Sequence, residues 1–138
     1  MYAHLEQLSE NVHIDFFGDG QLIGDQLCKR HQYVDALLWY DSAIGSRLTS
    51  RQTRATACIN KLRLLRKLVC TQPHRLPYGL DYIMSLYDDY AVKIIREPFA
   101  EIVFQLDKAH LAKKMGNEQL WQATYDKVLQ LIEKQVDA

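Results

Sequence analysis

Apolar residues return along this chain every three or four positions, the spacing that gathers side chains on one face of an α-helix. Leu5, Leu8 and Val12 outline a short first helix, and the VHIDFFGDG that follows alternates briefly like an extended piece. Gly18, Asp19 and Gly20 read as a turn, with Asp19 placed to cap what comes next. Residues 21–31 are predicted helical, with Leu22, Ile23 and Leu27 inward, and residues 33–47 form a second helix. Residues 51–70 carry Ala55, Ile59, Leu62, Leu65 and Val69 on one stripe. Residues 81–96 align Ile83, Tyr87, Tyr90 and Ile94, and residues 99–115 align Phe99, Ile102, Leu106 and Ala109. A last helix follows Asn117 and turns Trp121, Thr124, Val128, Leu131 and Ile132 inward.

Punctuation supports these segments. Pro73, Pro77 and Gly79 mark a loop, and Pro98 stands at a first helical position, where no backbone donor is needed. Asp81 reads as an N-cap, while Gly116 and Asn117 read as a C-cap and an N-cap in succession. Strands find almost no support. The expected fold class is all-α: antiparallel helical hairpins stacked as a short array or bundle of five to six helices, in one domain over residues 1–138. Within it, residues 20–70 and 81–135 are the two helical portions.

The stretch HQYVDALLWYDSAI, residues 31–44, has its own rhythm. KRHQY must turn one helix directly into an antiparallel neighbour. Close-packed helices need small residues where backbones approach and aromatics where they splay. Gly24 supplies a bare face on the first helix, and Ala36 and Ala43 a small pair on the second. Tyr33 fills the wedge at the turn, and Tyr40 packs between the alanines and the next element.

Ile23, Gly24 and Leu27, followed by Tyr33, Ala36, Tyr40 and Ala43, resemble a tetratricopeptide repeat over residues 20–48. The chain departs from that pattern at Gly20, where a bulky aromatic is usual, and at Leu48, where a proline is usual. TRATACINKL offers a possible start for a second repeat in ambiguous register. AHLAKKMGNEQLWQATYDKVLQLI again resembles a hairpin with a Gly-Asn turn, though Trp121 falls where an alanine is expected. Residues 20–70 are also similar to the three-helix microtubule-interacting-and-trafficking domain, and a bundle unrelated to either obeys the same packing rules. The repeat resemblance implies a protein-binding module. Repeats that grip a C-terminal carboxylate carry a lysine and an asparagine where this chain has Gln21 and Asp25, so that activity is not implied here.

Composition adds little: 48% of residues are hydrophobic and 25% charged, an ordinary globular mix. No apolar run approaches the roughly 18 residues of a membrane span, so membrane insertion is not expected. MYAHLEQLSE lacks the basic start and apolar run of a secretory signal. Cys28, Cys58 and Cys70 are odd in number and widely spaced, which fits reduced, helix-buried thiols in an intracellular, cytoplasmic protein with the nucleus left open.

Charge changes the picture more. The net charge is zero, yet no acidic residue lies between Asp41 and Asp81, an interval holding Arg47, Arg51, Arg54, Lys61, Arg63, Arg66, Lys67 and Arg75. On the helix over 51–70, Arg63 and Lys67 lie opposite the apolar stripe. One reading is a solvated face paired with acids from neighbouring helices. Another is a surface for an acidic peptide or for nucleic-acid phosphates. The neutral total and the lack of a nucleic-acid-binding motif favour the peptide.

Enzymatic signals are weak. His4, His13 and Asp15 offer metal-ligating atoms without the helical spacing of a metal site, and no metal is expected. Asp88 and Asp89 read as a solvated face rather than an acid–base pair. GDGQLIG lacks the lysine and hydroxyl of a phosphate loop, and no nucleophile elbow occurs. Lone His31 and His110 read as surface residues. The expected function is a non-enzymatic adaptor or chaperone-like subunit, without cofactor, that binds another protein or peptide in a helical groove. Among Tyr33, Trp39, Tyr82 and Tyr87, Trp39 is the expected contact because it sits off the Ala36–Ala43 face. Arg54, Lys61, Arg63 and Lys67 complete the candidate partner-binding set. Self-association is also expected if repeats lack polar caps. The alternative is a small nucleic-acid-associated regulator using residues 47–75.

Overall fold

The computed structural model describes residues 20–71, 79–94 and 96–137. The expected first helix, the extended piece before Gly20, the Asp19 cap, the ligand candidates His4, His13 and Asp15, and the prolines at 73 and 77 lie outside the described residues. Among the described residues six helices follow in order: α1 Gly20–Lys29, α2 Tyr33–Gly45, α3 Arg51–Thr71, α4 Leu80–Ile94, α5 Pro98–Lys114 and α6 Glu118–Asp137. No strand occurs among the described residues, so the fold is all-α. No helix among them is long and apolar enough to cross a membrane. Two compact units, Met1–Lys61 and Leu62–Ala138, divide the chain inside α3.

In the first unit, α1 and α2 form a tight hairpin. A Cβ on Gly24 would lie 2.5 Å from the Tyr40 ring, and one on Gly20 would lie 2.7 Å from the Trp39 carbonyl oxygen and 3.3 Å from the Ala43 Cβ. Glycine at position 20, the departure from the repeat pattern, is therefore what lets α1 seat on the α2 backbone. Ala36, Tyr40, Ala43 and Ile44 are buried beneath it with Ile23 and Leu27. Tyr33 is half-buried at the turn, its hydroxyl 2.6 Å from the His31 Nδ1.

The turn ends α1 at Lys29, two residues short of expectation, because His31 adopts a left-handed φ of 61°. The His31 N–H donates to the Cys28 carbonyl at 3.0 Å and the Gln32 N–H to Leu27 at 2.9 Å. This is a Schellman closure, which satisfies the last carbonyls of a helix. In the second unit, α5 ends the same way: Gly116 has φ 78°, its N–H donates to Lys113 at 3.1 Å, and the Asn117 N–H donates to Ala112 at 3.0 Å. In both turns the next residue opens a new helix at once, Gln32 accepting from the Ala36 N–H at 3.0 Å and Asn117 from the Trp121 N–H at 3.1 Å. Asn117 adds the expected side-chain cap, accepting from the Leu120 N–H at 3.2 Å.

Helix α2 stops at Gly45 rather than 47, where Ser46 turns extended. Ser50 opens α3 by accepting from the Thr53 N–H at 3.1 Å. Helix α3 buries the expected Ala55, Ile59, Leu62 and Leu65, but Ala57, Cys58, Leu64 and Leu68 are buried too. Its burial is thus wider than one stripe, and Val69 is half-buried.

In the second unit, Ile83, Leu86, Tyr87 and Ile94 form the inner face of α4, with the Tyr87 and Phe104 rings 5.0 Å apart. Asp81 lies inside the first turn of α4, not at its cap. The helix ends at Ile94, and Arg96 takes a left-handed φ of 76°.

The expected stripe on α5 is corrected. Phe99 is 77% exposed, Ile102 and Leu106 are half-buried, and the buried set is Phe104, Gln105, Asp107, Ala109, Leu111 and Ala112. Helix α5 packs against both α4 and α6, so it buries two faces, and a one-stripe reading cannot describe it. On α6, Thr124 and Val128 are buried, Trp121 and Leu131 half-buried and Ile132 exposed, a narrower face than expected. The thiols also differ from expectation: Cys58 is buried, Cys28 half-buried and Cys70 exposed.

Candidate functional site

The sequence-chosen residues divide between the units: Trp39, Arg54 and Lys61 belong to the first, Arg63 and Lys67 to the second. Trp39 is half-buried. Arg54 closes the connection from α2 to α3, donating from Nη2 to the carbonyls of Ser46 at 2.7 Å and Thr49 at 3.3 Å. Lys61 lies 2.6 Å from an Asp41 carboxylate oxygen. Both cations therefore have structural work within their unit.

Near Trp39, α2 is apolar on two sides. Its inner side is the buried hairpin face. On its outer side Val34 is 72% and Leu38 61% exposed, one turn apart and so on the same face. Water-facing Val and Leu at that spacing contribute nothing to the hairpin core.

Between α1, α2 and α3 lies a polar knot. Asp25 accepts from the Tyr40 hydroxyl at 2.5 Å and from the Asn60 Nδ2 at 2.9 Å, and also from the Gln21 amide. Burial first, then the hydrogen bond to Asp25, pushes the Tyr40 phenol well above its ordinary range. Gln21 and Asp25, the positions compared with a carboxylate grip, thus bond to each other. An acceptor-only carboxylate there suits holding the hairpin, not an acidic chain end.

The second unit gathers a basic cavity of about 270 Å³, lined by Arg63, Arg66, Lys67 and Cys70 of α3 and by Asp107 and Lys114 of α5. Asp107, only 8% exposed, organises it. The Arg63 guanidinium forks onto it, Nε to Oδ2 at 2.6 Å and Nη2 to Oδ1 at 3.1 Å. That hydrogen bonding holds the Arg63 proton more tightly than usual, against the opposing effect of partial burial. Arg66 Nη1 reaches the Asp107 carbonyl at 3.4 Å. Lys114 Nζ donates to the Cys70 thiol sulfur at 2.9 Å.

Tyr87 adds a buried hydroxyl nearby. Arg66 lies close to it without meeting hydrogen-bond geometry, and it has no partner among the described residues. Burial, and after it the Asp107 carboxylate, pushes this phenol up to about 12. No group of three His, Cys, Asp or Glu side chains capable of holding a metal occurs among the described residues. Asp88 and Asp89 are exposed, and Lys108 reaches Asp88 at 3.2 Å.

Sequence reasoning singled out Arg63 and Lys67 but missed Asp107, Lys114 and Cys70. Asp107 and Lys114 lie seven positions apart on α5, near two full turns and so on one face. That polar pairing was the available signal, hidden by the wrong apolar stripe. Comparison with family models, characterised proteins and solved structures finds no match for this chain.

Proposed function

We propose that the protein is a non-enzymatic interaction module built from tetratricopeptide-like helical hairpins, which binds a partner protein segment. The observation that carries this reading is the outer face of α2, where Val34 and Leu38 are exposed beside half-buried Trp39. A helix apolar on both sides is an unusual outcome for a surface element unless the outer side meets something. The hairpins support the repeat-like part of the reading. Gly24 stands to His31 as Ala109 stands to Gly116, and Tyr40 to His31 as Tyr125 to Gly116. Tyr125 packs on His110, ring centroids 6.0 Å apart, at the position where Tyr40 reaches Asp25. The same hairpin design is used twice.

A nucleic-acid regulator using residues 47–75 draws less support. Arg54, Lys61 and Arg63 each have a partner inside the protein, which leaves fewer cations to replace counterions along a strand. The test is capture of partners from extract of the native cell, with wild type compared with Val34→Ser/Leu38→Ser and with Trp39→Ala. A discrete protein retained at high salt by wild type and lost by these variants, with their melting temperatures unchanged, is the expected result. Undiminished capture by both variants, or recovery only of nucleic acid that high salt removes, sinks the reading.

A further inference from the structure

We propose that the cavity between α3 and α5 is a binding site for a phosphate monoester group. Its wall presents four cationic side chains and one carboxylate, and that carboxylate is already bidentate on Arg63. Beside them, Arg66 and Lys67 of α3 and Lys114 of α5 line the same cavity.

Three comparisons choose the ligand. At about 270 Å³ the cavity lies at the small end of the roughly 300–1,000 Å³ of small-molecule sites, which leaves room for an anionic group and a little of what carries it. A carboxylate brings a single charge. A phosphate monoester brings about −1.5 to −2 and three strong acceptor oxygens, the better match to several donors. A phosphodiester backbone spreads single charges along a strand and calls for a stripe of cations rather than a pit. Arg63 and Asp107 do not bind the anion in this arrangement. Their fork fixes the α3 side of the wall against α5, so the other donors are held in place before the ligand arrives.

Cys70 supplies the readout, since it is exposed and lines the cavity. Alkylation of Cys70 by neutral iodoacetamide would be followed by mass spectrometry on the full chain. The probes are phenyl phosphate, a phosphoserine peptide, its unphosphorylated form, and an oligonucleotide without terminal phosphates. Both monoesters should slow the reaction saturably, and the unphosphorylated peptide should not. Lys67→Met and Lys114→Met sit at exposed positions and should keep the fold, and each should raise the half-protecting concentration about tenfold. Tighter protection by the phosphopeptide than by phenyl phosphate assigns the group to a modified protein. Equal protection assigns it to a small molecule. The proposal fails if neither monoester protects, if the oligonucleotide protects as well as they do, or if both variants behave as wild type. Phenyl phosphate tests the site with no protein partner present, so the result stands apart from that of the α2 face.

Discussion

The Arg63 guanidinium holds Asp107 through two nitrogens, at 2.6 Å and 3.1 Å, and so ties α3 to α5. Asp107 is buried, whereas 53% of the Arg63 side chain remains exposed. Removing the arginine should therefore hurt more, because it leaves a buried carboxylate without its charge partner, while solvent cushions the half-exposed guanidinium that loses the carboxylate. Arg63→Met is expected to lower stability by about 1–3 kcal/mol and Asp107→Ala by about 1 kcal/mol or less. A double-mutant cycle in urea checks the pair, and additive losses would show that the fork contributes nothing.

Gly24→Ala should destabilise the protein, although alanine normally improves a helix interior by about 1 kcal/mol. The new Cβ would meet the Tyr40 ring at 2.5 Å, and that ring is buried and held by Asp25. Overpacking of this kind costs about 1–3 kcal/mol. A melting temperature equal to or above wild type would mean that the hairpin is looser than described.

The two Schellman turns predict opposite signs for two substitutions. Gly116→Ala forces a Cβ into φ 78° and should cost about 1 kcal/mol, even though the space around it is open. His31→Gly relieves the same strain at φ 61° and should cost nothing or stabilise, less whatever the Tyr33 contact contributes. Chemical denaturation of both variants decides it, and equal losses would reject the shared turn geometry.

Two buried tyrosines should also diverge. Tyr40→Phe removes the hydroxyl that donates to Asp25 and should cost about 1–3 kcal/mol. Tyr87→Phe removes a buried hydroxyl with no partner among the described residues and should be neutral or stabilising, by up to about 1 kcal/mol. The pH dependence follows from the raised phenol. The folded value of about 12 lies above the ordinary 10.0, so the folded protein holds this proton more tightly. Tyr87's contribution to stability is constant below pH 10 and becomes less favourable as the pH rises toward 12. Stability of wild type relative to Tyr87→Phe, measured from pH 8 upward, should therefore fall across that window, and a constant difference would contradict the burial of the phenol.

What the chain determines by itself is its local design. Helical periodicity fixes the all-α class, and Gly116 with Asn117 writes out a turn that the backbone then makes. Gly24, Ala36, Tyr40 and Ala43 announce a close hairpin because small and aromatic residues at helical spacing leave one way to pack two backbones. The left-handed turn at His31 was not legible, since histidine has no strong preference for it and only the hairpin closure imposes that φ. Nor was the inner side of α5. Periodicity locates one apolar stripe, whereas α5 packs against both α4 and α6 and also turns a buried Asp107 to Arg63 of α3. The basic run of α3 looked like a single charged face. Tertiary structure alone decided that Arg63 meets Asp107 and that cations of α3 line a cavity with Lys114, because charge pairing across helices depends on distances that sequence order does not encode.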